Sequence, residues 1–167
     1  MHDMLVRLYD LPSLEDALEA ASRRGVTIRP ALTLERPQVL EWMRANFDVW
    51  AAEVEAAFCR LPVSCLLAVR DQDLLGFACY DATCRNFFGP TAVLEEERGN
   101  GLGRALLLAA LHAQRAQGYA YSIIGGVGPA EFYAKVVGAV PIEGSDPGVY
   151  AGMLPYQAPD DGQEDAG

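Results

Sequence analysis

Metal-binding residues are scarce in this sequence of 167 residues. It has only two histidines, His2 and His112, and none of its four cysteines forms a Cys-x-x-Cys pair. Zinc in proteins is usually held by cysteine and histidine side chains at short, regular spacings. The sequence therefore predicts no metal site. We interpret the four thiols as reduced and passive, including that of Cys84.

Long apolar runs are also absent. No run approaches the roughly 20 residues that cross a bilayer. The N-terminus lacks the basic segment, apolar core and cleavage site of a secretory signal. These absences predict a cytoplasmic protein with no membrane partner.

Positive charge is in short supply, because 13 basic residues face 23 acidic ones and the formal net charge is −10. Part of the excess lies in an acidic tail, residues 157–167, whose acidic residues all follow Pro159. We expect this tail to be disordered. The rest of the chain is acidic as well, which disfavours a nucleic-acid partner. An acidic surface would suit an amine substrate, although acidity also serves ordinary solubility.

What the sequence does contain is a glycine-rich turn between a predicted strand and a predicted helix. The stretch from Val93 to Gly118 passes through glycines at 99, 101 and 103 and continues as a helix with an apolar stripe. A helix start presents unpaired N–H groups and the positive end of the dipole. Glycines there let an anion approach the backbone. The pattern predicts a phosphate or pyrophosphate cradle, and a plain turn before a helix is the alternative.

Two common phosphate-binding patterns do not fit this turn. The phosphate loop needs a glycine where Arg98 stands and a Lys-Ser/Thr pair where Arg104-Ala105 stand. The dinucleotide pattern G-x-G-x-x-G fails from both Gly99 and Gly101. What remains is Arg-x-x-Gly-x-Gly, formed by Arg98, Gly101 and Gly103. This resembles the acyl-CoA pyrophosphate loop of the GNAT superfamily of N-acetyltransferases.

The order of predicted elements, β-α-α-β-β-β-α-β-α-β-β, is similar to the GNAT plan from about Val26 to Leu154. The resemblance implies an α/β (α+β) fold, with a mixed, mostly antiparallel central sheet flanked by helices. We predict three parts: an N-terminal helical extension over residues 1–25, a GNAT-like domain over 26–156 and the acidic tail. The extension holds a helix from Ser13 to Arg24, and Val149 to Leu154 is predicted as a closing strand.

The resemblance also implies which residues bind acetyl-CoA as acyl donor. Backbone N–H groups of the loop would face the diphosphate, and the two loop arginines would add charge. The strand before the loop, which often carries a bulge in this family, would contact the pantetheine arm through its main chain. An N–H group near Val93 would stabilise the oxyanion. The predicted cofactor-binding residues are Val93, Leu94, Arg98, Gly99, Asn100, Gly101, Leu102, Gly103 and Arg104.

The segment beginning Phe132-Tyr133 looks like the family's Phe-Tyr element, which implies that Tyr133 is the general acid that protonates the departing thiolate. A tyrosine that only packs is the alternative. Two positions depart from the family pattern: Gly126 stands where an asparagine is frequent, and Glu95 where a proline is frequent. No general base is predicted; His112, Asp81 and the run Glu95 to Glu97 are the candidates, and an ordered water is the alternative.

The predicted function is acetyl-CoA-dependent transfer of an acetyl group to a primary amine of a small molecule or peptide, by direct attack on the thioester. The alternative is a non-catalytic module that binds or senses acyl-CoA. A nucleotide-binding enzyme of another class is disfavoured, because the two common phosphate-binding patterns do not fit.

Four aromatic residues are expected either to line the acceptor pocket or to pack in the core. They are Trp42, Phe47, Trp50 and Phe58. Family members often dimerise, so a homodimer is compatible with the resemblance. The sequence identifies neither the acceptor nor the oligomer.

Overall fold

The computed structural model describes residues 2–156. Within them, seven strands form one sheet in the order β2-β3-β4-β5-β6-β1-β7. Every neighbouring pair is antiparallel except β5 and β6, which are parallel. The predicted fold class is therefore confirmed. The elements are β1 (Met4–Arg7), α1 (Leu14–Ser22), β2 (Thr27–Pro30), α2 (Arg36–Phe47), α3 (Ala51–Phe58), β3 (Cys65–Arg70), β4 (Asp73–Tyr80), β5 (Phe87–Val93), α4 (Leu102–Ala116), β6 (Tyr121–Ile124), α5 (Ala130–Val137) and β7 (Val140–Pro141).

Helices cover the two faces of the sheet in separate groups. On one face, α1, α4 and α5 pack over a core that contains Leu106, Phe88 and Tyr133. On the other face, α2 and α3 pack over a second core around Met43 and Phe77. None of the helices within residues 2–156 is long and apolar enough to cross a membrane.

The N-terminal segment is not only a helical extension, and this part of the domain prediction is wrong. The helix exists and begins as expected, since the Ser13 hydroxyl accepts a hydrogen bond from the Asp16 N–H. The four residues of β1 before it, however, lie inside the sheet, between β6 and β7. Met4 is paired with both Ile124 and Pro141. Residues 4–7 are therefore an integral part of the sheet.

The predicted closing strand from Val149 to Leu154 is also wrong. A 3-10 turn occupies Gly148–Tyr150, and the described residues after it, 151–156, have no strand partner. The place beside β6 that such a strand could take is filled by β1. The predicted acidic tail, residues 157–167, lies outside the described residues.

The parallel strands β5 and β6 separate soon after they meet. Their pairing covers only Phe87 with Ile123 and Phe88 with Ile124. Just beyond, β5 carries one extra residue relative to β4, because Tyr80 pairs with Phe88 but Ala78 pairs with Thr91. This confirms the bulge expected in this strand. We call the point beyond Phe88 and Ile124, where the two strands diverge, the strand split.

Candidate functional site

The turn before α4 has a backbone that favours glycine. Gly99 and Gly101 have φ values of +76° and +82°, in the left-handed region that side chains rarely adopt. Gly101 is the N-cap of α4, and no side chain caps the helix. The first helical hydrogen bond runs from the Ala105 N–H to the Gly101 carbonyl at 3.0 Å. The N–H groups just before Ala105 therefore have no partner within the helix.

A depression of about 360 Å³ opens at this helix start. Gly103 forms part of its floor, where an added Cβ would lie 4.0 Å from both Phe132 Cζ and Val93 Cγ2. No described heavy atom lies within 4 Å of a Cβ built at Gly99 or Gly101, so that side of the turn is open. The lining residues are Val93, Glu97, Arg98, Gly99, Gly101, Leu102, Gly103, Arg104 and Phe132.

The glycine turn is tied to the rest of the molecule by charged side chains. Glu97 forms an ion pair with Arg70 of β3, and this contact lowers the pKa of the Glu97 carboxyl group. Asn100 accepts a hydrogen bond from Arg24, which follows α1. Arg98 donates from Nε to the Val93 carbonyl at 3.3 Å. The acidic side chain beside the depression is therefore paired, while Arg98 and Arg104 add positive charge to its lining.

The end of β5 presents a free backbone edge next to the depression. Leu94 donates its N–H to the Leu75 carbonyl at 2.9 Å, so Val93, opposite Gly76, occupies a non-hydrogen-bonded position of the ladder. The N–H of Val93 consequently points away from β4, toward the side that β6 has left. Leu94 differs, because its carbonyl also accepts the Glu97 N–H. Of the two predicted main-chain contacts, Val93 has the available donor.

Tyr133 lies at the strand split and not in the depression. Its ring packs edge-on against Phe88 of β5 and Phe132, with centroid distances of 6.1 and 5.2 Å. The side chain is 7% exposed, and burial raises the pKa of its hydroxyl to about 12. The group therefore remains protonated at neutral pH. Within residues 2–156 its hydroxyl makes no hydrogen bond.

Comparisons with known proteins bear on this arrangement. Residues 62–136 match the family model of the acetyltransferase (GNAT) domain. This segment, which makes up less than half of the chain, is similar to that domain. No curated protein matches the chain.

Solved structures share the GNAT fold at low sequence identity. A GCN5-related glucosamine N-acetyltransferase region of a fungal multi-domain beta-N-acetylglucosaminidase superposes with a TM-score of 0.69, 15% identity and coverage of 84% of this chain and 19% of that one. A GCN5-related N-acetyltransferase from Sphaerobacter thermophilus gives 0.65 and 18%, over 84% of this chain and 48% of that one. One from Kribbella flavida gives 0.50 and 17%, over 84% and 53%. The chain thus spans at most about half the length of these proteins.

In the structure, the nine predicted cofactor-binding residues lie along one strand end, turn and helix start. Three of the candidate general bases are engaged elsewhere. His112 Nε2 lies 2.9 Å from the Pro12 carbonyl oxygen. Asp81 is 2% exposed and accepts hydrogen bonds from the Tyr119 hydroxyl and the Asn86 N–H. Glu97 is paired with Arg70.

Three residues at or near the glycine turn were missed from the sequence. Arg24 and Arg70 hold the turn, and Phe132 lines the depression. The two arginines lie 76 and 27 residues from their partners along the chain, so no local pattern connects them. Phe132 had a signal, since it is the phenylalanine of the Phe-Tyr element.

The aromatic residues of α2 and α3 divide between two roles. Phe58 is 5% exposed and belongs to the core. Trp42, Phe47 and Trp50 are only partly buried and pack against that core. Their rings form a continuous row, with centroids 5.5 Å apart between Trp42 and Phe47 and 5.8 Å apart between Phe47 and Trp50.

Proposed function

We propose that the protein is an acetyl-CoA-dependent N-acetyltransferase whose acceptor is a primary amine. The observation that carries the proposal is the uncapped start of α4 at Gly101, beside a free edge of β5 that leads to Tyr133. The residues present fit the donor, because its diphosphate, its thioester carbonyl and its sulfur each have a complementary group. When bound, acetyl-CoA supplies a thioester whose acyl carbon an amine attacks, so that a C–N bond forms and the C–S bond breaks.

The loop is suited to the diphosphate. Unpaired N–H groups at the helix start and the positive end of the helix dipole both favour an anion. Arg98 and Arg104 line the same depression and add full charges. Because Arg70 already pairs with Glu97, repulsion from this carboxylate is reduced.

The open edge of β5 and Tyr133 supply the remaining groups. The Val93 N–H is free to donate a hydrogen bond to a carbonyl oxygen beside the strand. Tyr133 keeps its proton at neutral pH and lies where β5 and β6 part. Its hydroxyl can therefore donate a proton to the departing sulfur, and it regains a proton from the nitrogen of the attacking amine.

The first test is calorimetric titration of acetyl-CoA into the wild type and two glycine variants. Gly101 and Gly118 precede and follow α4, both have positive φ, and neither has a heavy atom within 4 Å of an added Cβ. Gly101→Asp puts a carboxylate at the proposed diphosphate site, whereas Gly118→Asp introduces the same strain and charge at the far end. We expect at least a tenfold loss of affinity in Gly101→Asp alone. Equal affinity in both variants would remove the loop from the proposal.

The second test separates an enzyme from a binding module. Thiol release from acetyl-CoA is measured with a panel of primary amines, for the wild type and Tyr133→Phe. We expect turnover with at least one amine and a loss of more than tenfold in kcat in the variant, with acetyl-CoA affinity kept. Binding of acetyl-CoA without turnover of any amine would favour the non-catalytic acyl-CoA-binding module instead.

A further inference from the structure

The strand split has a second tyrosine on the face opposite Tyr133. Phe87 and Phe88 are successive residues of β5, so their side chains point to opposite faces of the sheet. Tyr133 packs on Phe88. A Cβ built at Gly125 would lie 2.5 Å from the Tyr150 hydroxyl oxygen and 2.8 Å from Phe87 Cε2. Tyr150 thus rests on the end of β6 beside Phe87, in a place that only glycine at position 125 leaves open.

The Tyr150 hydroxyl has no hydrogen-bond partner within residues 2–156, although its side chain is half-buried. Burial and the negative charges of Glu53 and Asp3 raise the pKa of Tyr150, so the hydroxyl is protonated at neutral pH. Asp3 is already engaged, because its Oδ1 accepts the Gly126 N–H at 2.9 Å. The Tyr150 hydroxyl can both donate and accept, and a half-buried hydroxyl without a partner has hydrogen bonds still to make.

The row of half-buried aromatic rings continues this surface. Trp50 is the N-cap of α3, and Glu53 follows three residues later in the first turn, on the same side of the helix. The Tyr156 hydroxyl donates to the Asp48 carboxylate. The segment from Tyr150 to Tyr156 therefore passes along the start of α3. Beneath the row, Phe77 is fully buried and its ring centroid lies 6.3 Å from that of Trp42.

We propose that the acceptor is a primary ammonium compound with a flat apolar group, and that it binds on this face with its nitrogen toward Tyr150. The acceptor surface is defined by Tyr150, Glu53, Trp50, Phe47 and Trp42. The inference rests on the proposed function and adds the substrate class and the side of entry. Tyr150 acts as a positioning residue, because its hydroxyl is the free polar group at the strand split on that face.

Charge and shape together select this class of acceptor. The ammonium group is attracted by the Glu53 carboxylate, and it can also lie over the face of a tryptophan ring. A flat apolar group stacks on the row of aromatic rings and buries their exposed faces. An anion of the same shape would meet Glu53 and the Asp48 carboxylate and be repelled.

The chain's own fluorescence can report on this surface, because its only two tryptophans, Trp42 and Trp50, both lie there. The probes are 2-phenylethylamine, 3-phenylpropanoate as an anion of similar shape, and butylamine as a cation without a ring, each titrated into the full chain with saturating coenzyme A. We expect a saturable change with 2-phenylethylamine, at least tenfold weaker binding of butylamine and no saturable change with the anion.

Two variants and one matched control test whether the amine binds at the acceptor surface. Glu53→Gln should weaken binding of 2-phenylethylamine at least fivefold, whereas Glu55→Gln, on the same helix but paired with Arg36, should not change it. Tyr150→Phe should raise the KM of the amine at least threefold with the affinity for acetyl-CoA unchanged. A purely structural role for Tyr150 would instead alter stability and acetyl-CoA affinity together.

The failure of this inference can be told apart from the failure of the proposed function. If acetyl-CoA does not bind in the calorimeter, the proposed function falls. If acetyl-CoA binds and any amine is acetylated, three results would overturn only the acceptor surface. These are equal responses to the cation and the anion, equal losses in Glu53→Gln and Glu55→Gln, or no saturable response to either cation.

Discussion

At the scale of single residues, burial determines what Tyr133 can do. Its hydroxyl is removed from water among Phe88, Phe132 and the core, and ionisation there would place a charge without a partner. The pKa of about 12 follows from this burial alone. The same burial that keeps the hydroxyl protonated at neutral pH lowers the stability of the folded protein at alkaline pH.

This loss of stability at alkaline pH can be measured. The unfolded Tyr133 loses its proton near pH 10, whereas the folded one keeps it up to about pH 12. Between these values the unfolded state binds fewer protons, so stability falls as the pH rises. A two-unit shift corresponds to roughly 2 to 3 kcal/mol at most. Urea unfolding midpoints from about pH 8 to 11.5 should therefore fall less steeply for Tyr133→Phe than for the wild type. Parallel profiles would contradict a raised pKa at this residue.

Tyr133 could be singled out from the sequence, whereas Tyr150 could not. The Phe-Tyr element is a local pattern, so its position could be read directly. Tyr150 lies in a stretch whose apolar residues predict a strand, and its contacts with Gly125 and Phe87 join segments 25 and more residues apart. Its role depends on β1 having taken the neighbouring place in the sheet, which no local pattern reveals.

At the scale of elements, the N-terminal strand is required for the sheet. β1 is paired on both edges, and Met4, which is 2% exposed, contributes to the core under α4 and α5. We expect Met4→Ala to destabilise the protein by about 2 to 5 kcal/mol, because it removes buried methylene groups and leaves a cavity. Leu5→Ala is the matched control, since the neighbouring side chain points to the other face and is only partly buried. Comparable losses in urea unfolding would argue against this packing.

The ion pair between Arg70 of β3 and Glu97 of the glycine turn bears on the proposed binding of acetyl-CoA. Arg70 is partly exposed, so Arg70→Gln should leave the unfolding transition nearly unchanged. The variant should nevertheless weaken acetyl-CoA binding roughly fivefold to tenfold, because an unpaired Glu97 would repel the diphosphate across a short distance. Calorimetry on Arg70→Gln/Glu97→Gln should recover most of the affinity. No recovery in the double variant would show that the ion pair acts only by holding the turn.

Elements with strong local signals were predicted well, and those defined by distant partners were not. α4 follows its apolar stripe, the β3-β4 hairpin follows two apolar runs with a polar turn, and α5 is the last helix of the predicted order. β1 has only four residues, too few for a reliable alternating pattern, and its partner β6 lies more than a hundred residues away. Pro147, Gly148 and Gly152 explain why the predicted last strand forms a turn instead.

At the scale of the whole molecule, the depression and the proposed acceptor surface differ in charge. The loop arginines and open helix start lie by the depression, whereas Glu53, Asp48 and Asp3 lie on or near the acceptor surface. The formal net charge of −10 adds to the negative potential at the acceptor surface and opposes anion binding at the depression. In the proposed function, short-range contacts would hold the anionic donor, while the long-range field would also favour a cationic acceptor.

Ionic strength should consequently act on the acceptor through this field. Exposed charges are screened beyond about 10 Å at 0.1 M salt, so raising sodium chloride from about 20 to about 300 mM removes most of the long-range attraction. We expect the dissociation constant of 2-phenylethylamine, followed by tryptophan fluorescence, to rise roughly threefold to tenfold. Sucrose at equal osmolality serves as the control and should leave the constant unchanged. Because burial of the aromatic group strengthens with salt and does not weaken, a constant or falling dissociation constant would show that apolar contact, not charge, dominates acceptor binding.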